Sequence, residues 1–196
     1  MGGQSSGNFS VVSDHAVFQG TVRNVSFLHA PGFCRAFTTS FMLQDASAYV
    51  DGGITITARS STPAFKGFKL AIGAIGAPKH HGGHEMEGSY KAGFAIAKTY
   101  TFDSILGGDD DGWSTVYLPF TAFSSDWSDF SGECTTKDPD GYQHKCCSKD
   151  APEVCPNAKT LKLINNLALW AEGVEGDFHI EVKSIEATSK VAGKML

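Results

Sequence analysis

The chain of 196 residues contains no apolar run approaching the ~18 residues of a membrane-spanning helix, which excludes a span of that kind. It has no cluster of lysine or arginine and a net charge of −5, so the electrostatic footprint of a nucleic-acid binder is missing. Its first residues lack a basic stretch followed by an apolar one, and any targeting segment is therefore expected to be removed or to lie upstream. Charged residues are few, at 19%, and no internal repeat is visible. No Ser/His/Asp or paired-carboxylate arrangement emerges from the order of residues, so no catalytic residue is named, no enzyme is expected and no cofactor is called for. What the chain does have is 22 glycines and 14 phenylalanines within a hydrophobic fraction of 41%, the composition of a turn-rich globular protein with an aromatic core. At this length one domain, spanning 1–196, can bury roughly 70% of its unfolded surface without staples.

Period-2 alternation recurs along most of the sequence and predicts an all-β protein of about nine short strands, each with one apolar face. They are read at Asn8–Val12, Phe18–Val22, Phe37–Leu43, Ile54–Arg59, Phe68–Ile72, Phe94–Ile96, Val116–Phe120, Leu167–Ala171 and Phe178–Val182. Pro119 lacks a ladder donor and so belongs at a strand end or sheet edge. One short helical turn is predicted over Asn157–Ile164, after Pro156. Two segments resist assignment, Pro78–Ser89 and an insert at about 124–156. The insert is too long for a bare connection, so it is functional or cross-linked.

The opening Gly3-Gln4-Ser5-Ser6-Gly7 spells G-x-S-x-G, the pattern of a hydrolase nucleophile elbow. The elbow needs a strand before the serine and a helix after it. Here a strand-like stretch follows, so Ser5 is read as a turn residue ahead of the first strand.

Four of the five cysteines lie in the insert: Cys134, Cys146, Cys147 and Cys155. A bridge between the neighbours Cys146 and Cys147 is geometrically poor, which leaves two crossed or nested solutions. Free thiols and a metal site are the competing readings, but zinc sites favour C-x₂₋₄-C pairs, which these are not. Cys34 is read as an unpaired, packed thiol in a strand. The run His80, His81, His84 and Glu85 is a weak metal candidate: His80 and His84 would share a face only on a helix, and Gly82-Gly83 opposes one. Asp109-Asp110-Asp111-Gly112 lacks a calcium-loop pattern and reads as turn chemistry. Asn8-Phe9-Ser10 and Asn24-Val25-Ser26 are glycosylation acceptors only in a secretory context.

The order of the segments MGGQSSGNFS, VFQGTV, GFCRAFT, GGITITARSSTPAFKGFKLAI, STVYLPFTAFSSDW and LALWAEGVEGDFHIEVKSI resembles the complex I intermediate-associated protein 30 family over nearly the whole chain. The resemblance implies a single jelly-roll β-sandwich like galactose-binding domains. It also implies a non-catalytic role, as an assembly factor or accessory scaffold subunit that binds protein subunits of a membrane energy-transducing complex, respiratory complex I or a photosynthetic one. Localisation follows as mitochondrion or plastid, thylakoid-associated in the latter. The cysteine-rich insert departs from the family pattern and points to an oxidising compartment. A secreted carbohydrate-binding module, with a glycan as ligand, is the alternative. Because loops on a rigid scaffold carry specificity, Trp127, Phe130 and Tyr142 of the insert are the expected partner-binding anchors. The insert shows no alternating core face, so the sandwich is expected to fold without it.

Overall fold

The computed structural model describes residues 3–39, 42–81, 88–96 and 111–189. Its strands are β1 (Ser6–Val12), β2 (His15–Val22), β3 (Asn24–Val25), β4 (Ala30–Pro31), β5 (Phe33–Phe37), β6 (Gly53–Arg59), β7 (Phe68–Ala74), β8 (Ser89–Gly93), β9 (Ser114–Pro119), β10 (Ile164–Glu172) and β11 (Gly176–Thr188). They form an all-β jelly-roll sandwich: a five-stranded sheet in the order β1-β2-β11-β6-β9 faces a four-stranded sheet in the order β5-β10-β7-β8, and β3 and β4 make a small separate hairpin. All strand pairs are antiparallel.

The alternation seen in the sequence sets the faces. In β6, Ile54, Ile56 and Ala58 are buried between the sheets while Thr55, Thr57 and Arg59 face outward. Phe18, Val22, Phe178 and Ile180 extend that buried layer, and Leu70, Ile72, Tyr90 and Leu169 meet it from the other sheet. Pro119 closes the edge strand β9 opposite Gly53, where its missing N–H costs no ladder bond. The one short helix among the described residues is Ala158–Leu161, started by a reciprocal capping box between Asn157 and Thr160. The expected helical turn therefore begins where Pro156 placed it but stops earlier, because Ile164 opens β10.

Two strand assignments shift. Of the described residues of the alternating stretch Phe37–Leu43, only Phe37 lies in a strand; the ladder to β10 runs over Phe33–Phe37, and Gln44 makes an isolated bridge to Ile164. Phe94 and Ile96 are buried but lie just past β8, whose ladder covers Ser89–Gly93. At Phe94 and Ile96 apolar side chains are buried from irregular backbone, which period counting cannot separate from strand, whereas Phe37, Met42 and Leu43 stay exposed, so their alternation marks no buried face. β7 departs differently: it is buried on both faces, since Lys69, Ala71 and Gly73 on its outward side are covered as fully as Leu70 and Ile72 on its inward one. Over Lys69 the insert supplies the cover through Glu133, and over Gly73 the Asn166 side chain of β10 does.

Candidate functional site

Strand register lays out the outer face of the four-stranded sheet. Arg35, Trp170, Lys69 and Gly93 stand in one row across it, and Phe37, Ala168, Ala71 and Lys91 in the next. The insert begins by bonding to the free edge of β8, where Lys91 N–H donates to Ser124 O (2.8 Å) and Ser124 N–H donates to Lys91 O (3.1 Å). It then crosses the sheet as a roof. Trp127 comes down beside Trp170, with ring centroids 6.3 Å apart. The Lys91 ammonium sits between them, 3.4 Å from one ring and 3.9 Å from the other, and donates to Glu172 Oε1 at 2.8 Å. Lys69 pairs with Glu133 at the next position along the roof. Gly132 has φ of 70° and lies so close over the Glu172 carboxylate that a Cβ there would collide with it.

Both members of the Lys91–Glu172 pair are buried, and burial pushes the Lys91 ammonium below the usual lysine range while the Glu172 carboxylate pulls it back. The two indole faces supply part of the solvation that water would have given. The pair is enclosed, so it acts on the fold and has no access to a substrate.

A second buried knot stiffens the insert from within. The His144 ring bonds Asp126 through Nδ1 at 2.7 Å and Asp138 through Nε2 at 2.8 Å. Burial opposes the charge on the imidazole, but the two carboxylates outweigh it and raise its pKa above the ordinary histidine value. Asp126 also accepts from Tyr142 Oη–H (3.2 Å) and from Lys145 N–H (2.9 Å), and Asp138 accepts from Ser128 Oγ–H (2.5 Å). Around this knot run two disulfides, Cys134–Cys146 and Cys147–Cys155. The pairing is sequential, two rings side by side, and neither crossed nor nested as the sequence reading had it. Cys34 is free and buried in β5.

Of the three expected anchors, Trp127 lies inside the roof, 3% exposed, so its surface is spent within the chain; Phe130 and Tyr142 are half-buried. The histidine run diverges. His80 stacks on Trp127 at 3.7 Å and bonds Asp129 at 2.9 Å, whereas His81 stacks on Tyr142 at 3.6 Å with Asp140 3.7 Å away. His84 and Glu85 lie outside the described residues. Among the described residues no group of three His, Cys, Asp or Glu side chains is placed to hold a metal ion. The Ser5 hydroxyl accepts from Arg23 N–H at 3.0 Å and pins the chain ahead of β1 to the end of β2. Asp111 accepts from Trp113 N–H and, through its carbonyl, from Arg59, as a turn residue does; Asp109 and Asp110 are outside the described residues. The insert is also no detachable loop, because it roofs Trp170, Lys69 and Lys91.

Sequence reasoning missed the Lys91–Glu172 and His144 clusters. It also missed an apolar opening at the end of the sandwich where the β1–β2 hairpin faces β5. A cavity of about 290 Å³ opens there, lined by Phe9, Ala16, Phe37, Leu70, Val182 and Ile185 among others. Phe9 is 47%, Val11 74% and Phe37 56% exposed, and β1 forms an outer edge of its sheet with no charged residue in it. A second, polar cleft of about 360 Å³ lies between the 78–81 loop and the insert, bordered by Lys79, His81, Tyr142, Lys145 and Glu153.

No protein-family model matches the chain. Comparison with curated proteins gives no match either. Among solved structures, one titled "Structure of PfGH50B" is similar over 95% of this chain at 13% identity and a TM-score of 0.49; the chain spans 22% of that structure's length.

Proposed function

We propose that this protein works by binding, as a non-catalytic assembly factor or accessory scaffold subunit of a membrane energy-transducing complex, respiratory complex I or a photosynthetic one. The observation that carries the binding role is the apolar opening at β1 and β5. A contiguous apolar surface around a cavity, beside an uncharged edge strand, has the character of a protein-protein contact. The titratable clusters support a static role, since Lys91 is bound to Glu172 and His144 to Asp126 and Asp138, and of these only Asp126 borders a cavity, the polar cleft. The kind of complex rests on the resemblance in the segment order. Two disulfides fit an oxidising compartment of a plastid or mitochondrion.

Phe9→Ser combined with Phe37→Ser tests this directly. The folded double variant is expected to lose comigration with the membrane complex on native gels, while a variant with Phe130→Ser keeps it. Full retention by the double variant would move the interface away from the opening.

The second reading, a secreted carbohydrate-binding module, is favoured by the polar cleft at His81 and Tyr142, where mixed charges could meet sugar hydroxyls. Trp127 and Trp170 would be the usual stacking platform, but the roof occupies them. Glycan-array binding that is lost in Tyr142→Ala, in a protein that comigrates with no complex, would make this the better account.

A further inference from the structure

The two bridges of the insert sit in different surroundings, and from that difference we infer that Cys147–Cys155 is a redox site, opened by thiol–disulfide exchange with a dithiol reductant while Cys134–Cys146 stays closed. This goes beyond the subunit reading and does not depend on it.

The first observation is space. Cys147 and Cys155 both lie on the wall of a cavity of about 360 Å³, which they share with Val50, Phe120, Thr121 and Lys149. Thr121 and Lys149 are exposed, so the cavity is open to solvent. An attacking thiolate has to reach a sulfur of the bridge, and access to that sulfur helps to set the rate of exchange. Neither Cys134 nor Cys146 borders this cavity.

The second observation gives the exchange a direction. Cys155 Sγ lies 3.5 Å from Ala151 O and 3.8 Å from Ser148 O. While the bridge is closed that sulfur has no proton to give; in the reduced chain the Cys155 thiol donates to these carbonyls. Carbonyl oxygens favour the protonated thiol over the thiolate, so Cys155 is the poorer leaving group and the first bond forms on it. The reductant's thiolate bonds Cys155 Sγ, the Cys147–Cys155 bond breaks, and Cys147 leaves with the electron pair. The reductant's second thiolate then attacks its own sulfur in the mixed disulfide and releases Cys155. Two electrons pass to the chain, the two protons of the dithiol end on Cys147 and Cys155, and the reductant ends as a disulfide.

The third observation concerns the way back. The segment inside this ring holds its shape through its own backbone bonds: Ala151 N–H donates to Ser148 O (3.2 Å), Val154 N–H to Ala151 O (3.4 Å) and Cys155 N–H to Pro152 O (3.2 Å). Ser125 N–H donates to Val154 O (2.9 Å), which ties the segment to the start of the roof, and Ala151 and Val154 are buried. The two thiols are therefore kept near each other, and the reverse exchange can close the bridge again. The other ring encloses Asp138 and His144, so its bridge belongs with the buried knot.

The test exposes the full oxidised chain to dithiothreitol without denaturant, stops the reaction with iodoacetamide at successive times and maps the peptides by mass. Cys147 and Cys155 are expected to be alkylated roughly tenfold sooner than Cys134 and Cys146, with far-ultraviolet circular dichroism unchanged. Glutathione, a monothiol that cannot complete the second step, is expected to be found on Cys155. A Thr121→Trp variant, altered at an exposed position on the cavity, should open the bridge several-fold more slowly and leave the rate at Cys134–Cys146 unchanged. Equal rates at the two bridges, earlier opening of Cys134–Cys146, or labelling only as the folded signal is lost would each overturn the inference. So would glutathione on Cys147, or an unchanged rate in the Thr121→Trp variant.

Discussion

The insert roof and the apolar opening invert the usual distribution of residues. Within and under the roof, Lys69, Lys91, Glu172 and His144 are buried, while at the opening Phe9 and Phe37 are about half exposed. The same strands contribute to both: β5 carries Phe37 at the opening and Arg35 over the Trp170 ring near the roof. Exposure on a sheet face is thus decided by what crosses it and only secondarily by the residue placed there. Where a segment crosses, the outward-facing charges are enclosed and must pair. Where none of the described residues crosses, the apolar groups are left for something else to cover.

The contrast can be broken most strongly at Lys91. Replacing it alone by Met leaves Glu172 enclosed without its partner, and should cost about 3–5 kcal/mol in denaturant unfolding. Lys91→Met with Glu172→Leu should recover most of that loss, because a desolvated pair often does no better than apolar residues of similar size. If the single and double variants are equally unstable, the pair is not what makes the roof costly to disturb.

Reduction of the two disulfides comes next. Ring closures of this length contribute ~3 kcal/mol each in the chain-entropy account, and both rings lie in the roof. Amide exchange is expected to accelerate in the insert before it does in β6 or β11. Peptide mapping without reduction should recover Cys134 linked to Cys146 and Cys147 linked to Cys155.

A smaller effect is expected from pH. His144 is held as an imidazolium by Asp126 and Asp138, so its raised pKa means that its stabilisation is complete below about pH 6.5 and is lost as pH rises through the folded value. Exchange at the Lys145 amide should therefore quicken toward alkaline pH, and His144→Gln should flatten that dependence. Smallest of all is the effect of Phe9→Ser with Phe37→Ser on stability, within about 1 kcal/mol per site because about half of each side chain is already solvated. A larger loss would mean that the opening is closed in solution by this chain itself.

Much of the sandwich was legible in the sequence because a two-residue period is a property of the strand alone. Ile54, Ile56 and Ala58 could be assigned to one face without knowing what lay against them, and Pro119 to an edge without knowing which. The site was not legible in that way. Lys69 and Lys91 alternate outward like any solvated lysine, and nothing in their strands records that a segment far along the chain will cover them. Trp127 looked like an exposed anchor because its neighbours are polar, yet those polar neighbours are bonded to one another and the ring turns inward. The four cysteines announced cross-links, whereas their sequential pairing depends on how the roof bends around His144.

The order in which the strands occur along the chain has a temporal consequence. β10 and β11 are the last strands, yet each is interior to its sheet: β11 lies between β2 and β6, and β10 between β5 and β7. During synthesis, the earlier strands of both sheets emerge without the partner that joins them, so β2 and β6, and β5 and β7, must wait, unjoined, until the stretch after the insert arrives. The two disulfide rings, separated by 12 and 8 residues, lie wholly upstream of β10 and need neither late strand to close. The insert can therefore be locked while the sandwich is still open, and a chain that ends before Ile164 holds its cross-links but lacks the central strand of either sheet.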